Sequence, residues 1–150
     1  MAAPIPLPVT LAAVATLIAA VSELRTRQVP NVVTLPLLFV GMAVTVWERN
    51  FYAQLIGLVI VTVWVIPAFS RGWISGGVTK LMLGIGLCIG AWMAGYFTGL
   101  FIVLAALFFL AARIPWVRER IRKEGPSLPG APLCLLALLG AYGISLLVPR

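Results

Sequence analysis

The chain contains no histidine and no aspartate, and only four glutamates and two cysteines among 150 residues. Each absence removes a class of chemistry. Histidine acid–base catalysis, Ser-His-Asp triads and Cys/His zinc sites all need residues that are missing. Cys88 and Cys134 stand within apolar runs, where free cysteine behaves as a small buried hydrophobe. No cofactor and no metal is expected, because ligation would fall to glutamate, cysteine, methionine or backbone carbonyls. Charge is scarce as well: 10% of residues are charged and 62% hydrophobic, with a mean hydropathy of +1.10. Soluble domains are roughly 45–50% apolar. Here the fifteen charged residues gather into short clusters separated by long uncharged stretches. That pattern excludes a soluble enzyme fold and indicates a membrane protein.

What is present is a series of six apolar segments: Pro4 to Ser22, Val32 to Trp47, Phe51 to Ser70, Thr79 to Met93, Gly95 to Ala112 and Ala131 to Val148. Most approach the roughly 20 residues that cross about 30 Å of hydrocarbon. They are too long and too little alternating for barrel strands, so the expected fold is all-α, a polytopic membrane helical bundle of about six transmembrane helices. No internal repeat or long linker divides it, and residues 1–150 read as one integral membrane domain. The fourth segment, with glycines at 76, 77, 84, 86 and 90, needs close neighbours and is expected to pack centrally. Gly86 and Gly90, then Gly95 and Gly99, put small residues one turn apart, as helix packing in membranes favours. Trp47, Trp73, Trp92 and Trp116 fall near segment ends, where indole prefers the interface.

The basic residues are unevenly distributed. Nine of the 11 follow the first, third and fifth segments: Arg25, Arg27, Arg71, Lys80, Arg113, Arg118, Arg120, Arg122 and Lys123. Arg49 and Arg150 stand on the other side. The asymmetry predicts cytoplasmic odd loops and both termini outside a bacterial inner membrane. The stretch from Arg113 to Glu124 sets Ile114, Val117 and Ile121 near one helical face. With Trp116 and its cations, it is expected to contact anionic lipids or a protein partner. Nothing suggests nucleic-acid binding, since no aromatic-basic platform accompanies the net charge of +7.

Three motifs occur in order. Ser22-Glu23-Leu24-Arg25-Thr26-Arg27-Gln28-Val29-Pro30-Asn31 leads from the first segment into the second. Proline biases the residue before it away from helix, and asparagine can cap the helix that follows. Gly76-Gly77-Val78-Thr79-Lys80-Leu81 opens the fourth segment. Ser127-Leu128-Pro129-Gly130-Ala131-Pro132 opens the last, with Gly140 further along. Together these resemble the type IV prepilin peptidase family, in particular its short members, which lack a Cys-x-x-Cys zinc insert. Arg25, Pro30, Asn31, Gly76 and Gly77 stand at matching places.

The resemblance implies cleavage of prepilin leader peptides by two intramembrane aspartates. Those positions are Glu23 and Val78 in this chain. A carboxylate pair works because the two groups cannot both ionise, so one holds a proton while the other activates water. Valine can do neither, and Glu23 reaches about 1 Å further than aspartate. Glu48 lies on the opposite predicted face, and Glu119 and Glu124 sit in the charged loop. The reading that follows is a non-enzyme, retained as a scaffold or accessory subunit that contacts other membrane protein subunits. Glu23 is expected to pair with Lys80 or with an arginine, Arg25 or Arg27, fastening the first helix to the fourth. The alternative is an active leader peptidase with a degenerate site. A transporter or channel is less favoured, because no intramembrane charge chain or inverted repeat is visible.

Overall fold

A computed structural model describes residues 7–47, 51–113 and 129–147. Five helices occur among them: α1 (Leu7–Thr26), α2 (Asn31–Trp47), α3 (Phe51–Ser70), α4 (Gly76–Ala111) and α5 (Gly130–Leu147). Four of these, α1, α3, α4 and α5, are long and apolar enough to cross a membrane. The described residues contain no strand, as expected of a chain whose backbone polar groups must be satisfied within each segment.

α1 runs further than its apolar stretch, through Glu23 and Arg25 to Thr26. Glutamate, leucine and arginine are good helix formers, so the helix continues until the chain must turn. Arg27 makes that turn with a left-handed φ of 57°. Its N–H returns to the Glu23 carbonyl at 2.9 Å. The Ser22 and Thr26 hydroxyls both donate to the Gln28 carbonyl, at 3.1 and 3.3 Å, and pin the junction. α2 then starts behind Pro30, whose carbonyl accepts the Val33 N–H at 3.1 Å. Asn31 is therefore the first residue of α2 and not its cap.

α4 differs most from expectation. It is 36 residues long and holds both the fourth and fifth predicted segments, with Gly90 at φ 69° and ψ 174° interrupting the helix. Only glycine populates that region readily. The contacts with α3 fix the geometry. Gly76 lies beside Phe69, Gly86 beside Val61, and Gly90 beside Gly57, so residues 76–89 run antiparallel to α3. Trp64 then meets Phe101 and Trp73 meets Phe109, so residues 91–111 run parallel to it. The chain reverses at Gly90, not between Met93 and Gly95 as the apolar runs suggested. Gly57 makes the reversal possible: a Cβ there would lie 2.7 Å from the Gly86 carbonyl oxygen and 2.8 Å from the Gly90 carbonyl carbon.

The first half of α4 is central, as its glycine content predicted. Val78, Leu81, Met82 and Ile85 are fully buried, together with Val61 and Val65 of α3 and Leu37 of α2. Phe97 and Phe101 continue this core along the second half, joined by Ala137 and Leu138 of α5. Most remaining apolar side chains are exposed, which suits a bundle solvated by lipid. The 20 residues of α3 span about 30 Å, the thickness of the hydrocarbon layer. Tyr52 marks one end of α3, and Arg71 stacked over the Trp73 ring at 5.4 Å marks the other. Trp47 and Trp92 are exposed at the Tyr52 end.

Candidate active site

The first two sequence motifs and the described part of the third, from Pro129 on, meet at the Trp73 end of the bundle. Glu23, one turn from the end of α1, is 7% exposed. Its Oε2 accepts the Ala131 N–H at 2.7 Å, a contact between residues 108 apart in sequence. The Gly130 N–H and the Arg27 guanidinium also lie near the carboxylate. A helix leaves its first N–H groups without internal partners and carries partial positive charge at that end. Glu23 supplies both an acceptor and a negative charge, so α5 is capped by a side chain of α1.

Val78 is fully buried in the first turn of α4. The helix begins at Ser75, whose hydroxyl accepts the Val78 N–H at 3.4 Å. The valine side chain presses on Gly130: a Cβ at that glycine would sit 2.6 Å from Val78 Cγ1. Positions 23 and 78 thus converge on one dipeptide, Gly130-Ala131. Where the family resemblance implies two carboxyl groups, the fold brings together one carboxylate and one isopropyl group. Cys134, one turn further along α5, is buried and lies in the field of Glu23. No group of three or more potential metal ligands occurs among the described residues.

The expected clasp between Glu23 and Lys80 is built differently. Lys80 Nζ donates to Asn31 Oδ1 at 3.1 Å, tying the second motif to the first, while Glu23 takes the backbone of α5. Gly77 allows this approach, since a Cβ there would lie 2.8 Å from both Val29 Cβ and the Val29 carbonyl oxygen. Gly76 meets only the edge of Phe69. Arg25 is exposed on the same turn as Glu23.

The glycine pairs divide. Gly86 packs against Val61 and the Gly57 carbonyl, and Gly90 is the reversal itself. Among the described residues nothing lies within 4 Å of a Cβ placed at Gly95 or Gly99, so neither packs against a described helix. Both face outward because the second half of α4 buries Ala94, Phe97 and Phe101 instead. Arg113 is exposed just beyond α4. Trp116, Arg118, Arg120, Arg122 and Lys123 lie outside the described residues, as do Glu48, Glu119 and Glu124.

Residues 10–114 match the type IV leader peptidase family. The chain belongs to that family. The match takes in α1 to α4 and therefore the first two motifs. The comparisons with curated proteins and with solved structures give no match. Family membership corrects the expectation of a non-enzyme: it points to an aspartic prepilin peptidase. The partners of Glu23 on α5 were the functional contacts that sequence reasoning missed. The third motif was the available signal, since it placed Gly130 and Ala131 at a helix start able to receive a carboxylate.

Proposed function

We propose that this leader peptidase family member cleaves leader peptides within the membrane, using Glu23 as its reacting carboxylate. The observation that carries the reading is the family match across both motif segments. Its geometric support is the buried placement of Glu23 at the junction of α1, α4 and α5. Released from α5, the Glu23 carboxylate acts as general base on a water molecule that attacks the scissile carbonyl. It then returns the proton to the leaving amine. The Gly130 and Ala131 N–H groups, aimed at the same point, stabilise negative charge as it develops on the carbonyl oxygen. Val78 contributes no proton transfer and shapes an apolar wall.

The reversal at Gly90 supports six crossings of a bacterial inner membrane, with the motif end and its basic residues in the cytoplasm. Anionic lipids are the partners proposed for the basic residues beyond Arg113. Other membrane subunits are proposed for the outward face of Gly95 and Gly99.

The test is cleavage of a pilin precursor bearing its leader, by the purified chain in lipid vesicles. Glu23→Gln is expected to lower the rate by roughly 10²-fold or more, the usual weight of a positioned general base. Absence of cleavage by the unmodified chain, or cleavage indifferent to Glu23→Gln, would refute the reading.

A further inference from the structure

Both motif positions are covered by the same two residues, and this has a consequence for access. Glu23 cannot meet a substrate while it is 7% exposed and its Oε2 is held by the Ala131 N–H. Position 78 is closed by Gly130, which seats against the valine methyls. Among the described residues, the contacts named for both positions fall on Gly130 and Ala131, the opening turn of α5. Pro129 and Pro132 flank this turn, so proline nitrogens on either side of the dipeptide have no N–H to offer. The N–H groups of the opening turn therefore rely on an acceptor outside their own helix, and Glu23 is that acceptor.

We propose that the opening turn of α5 is an autoinhibitory plug, latched by Glu23, that shifts off the carboxylate but stays at the edge of the site when a substrate peptide enters between α1 and α4. The inference rests on the peptidase reading for its purpose but not for its geometry. In the closed state the carboxylate is spent on α5. In the open state the same carboxylate is free to act on water, and the two N–H groups are free for the substrate carbonyl. One contact thus holds the base and the oxyanion donors idle together. A charge-assisted hydrogen bond at a helix N-terminus is strong enough to shift such an equilibrium by about tenfold or more.

Two measurements on the full chain in vesicles test this. In a Cys88→Ala, Cys134→Ala background, Val78→Cys places a thiol beneath the plug, and its reaction with a small water-soluble methanethiosulfonate reagent is timed. Reaction is expected to be slow, to accelerate about tenfold when Glu23→Ala removes the latch, and to accelerate less with Glu23→Gln, which keeps an acceptor. Helical circular dichroism and detergent elution of each variant confirm that acceleration is not unfolding. A rate unaffected by Glu23→Ala, or as fast as that of a thiol introduced at exposed Thr26, would overturn the proposal.

The second measurement locks the plug with Val78→Cys and Gly130→Cys. A Cβ at Gly130 lies 3.2 Å from Val78 Cβ, close to the 3.5–4.5 Å that a disulfide spans. Oxidation is expected to stop leader cleavage, and reductant to restore it. Equal cleavage by the oxidised and reduced forms would overturn the plug. If the unmodified chain itself fails to cleave, the peptidase reading falls, and the labelling rates still decide whether the latch exists.

Discussion

The two ends of the bundle solve opposite problems with the same residue type. At the Gly90 end, glycine lets two backbones touch so that the chain can reverse without a loop: Gly57 lies against the Gly86 and Gly90 carbonyls. At the Glu23 end, Gly130 lies against a side chain, Val78, and the space saved brings a charged group under cover. The first arrangement is apolar and rigid, and any added atom must move backbone. The second is held by polar contacts that a competing acceptor can replace. The difference teaches where this fold tolerates change: the reversal has no room for an added atom, while the motif end depends on a contact that can be exchanged.

That contrast is open to direct attack. The largest effect is expected from Gly57→Val or Gly90→Val, which force side-chain atoms into carbonyl groups or a non-glycine residue into a glycine-only conformation. Each should cost about 3 kcal/mol or more, read as a fall in thermal unfolding midpoint in detergent. Glu23→Ala should cost about 1–3 kcal/mol by leaving the α5 N–H groups without an acceptor, and it should abolish leader cleavage. Finding Glu23→Ala more destabilising than Gly57→Val would reverse the ranking of the two ends.

Val78→Asp sharpens the comparison from the other side. It sets a second carboxyl group beside Gly130, lowers stability through burial of a polar group, and should raise cleavage on the order of 10²-fold as acid and base roles separate. The gain should vanish when Glu23→Gln is added, since a pair needs both members. A smaller effect is expected of Lys80→Met, which removes one exposed hydrogen bond to Asn31 and should cost about 0.5–1.5 kcal/mol. Least of all, Gly95→Ala and Gly99→Ala should stay within about 0.5 kcal/mol in the isolated chain, because no described residue lies near either position.

Much of the architecture was legible from the sequence because lipid imposes a simple rule on long apolar runs. The ends of α2 and α3 fall where composition changes, and the turn before α2 was announced by Pro30. The reversal was not legible at the right residue. Glycines at 84, 86, 90, 95 and 99 carry the same local signal, and only the approach of Gly57 selects position 90. The convergence of Glu23 and Val78 was implied by the family resemblance, which pairs the first two motifs. The acceptor role of Glu23 could not, because the partner N–H belongs to a residue 108 positions away, and backbone amides leave no mark in a sequence. Lys80 misled for a related reason. Opposite charges at nearby motif positions suggest an ion pair, yet the neutral Asn31 amide lay within its reach.

The single-residue reversal at Gly90 also sets what can be reached at the Tyr52 end of the bundle. With residues 76–89 and 91–111 meeting at one glycine, no connecting segment protrudes there for a proteinase, an antibody or an inserted tag to engage. A reporter spliced between Ile89 and Ala91 would have to prise the two helices apart before it reached water. At that end, this stretch of the protein is effectively without a handle.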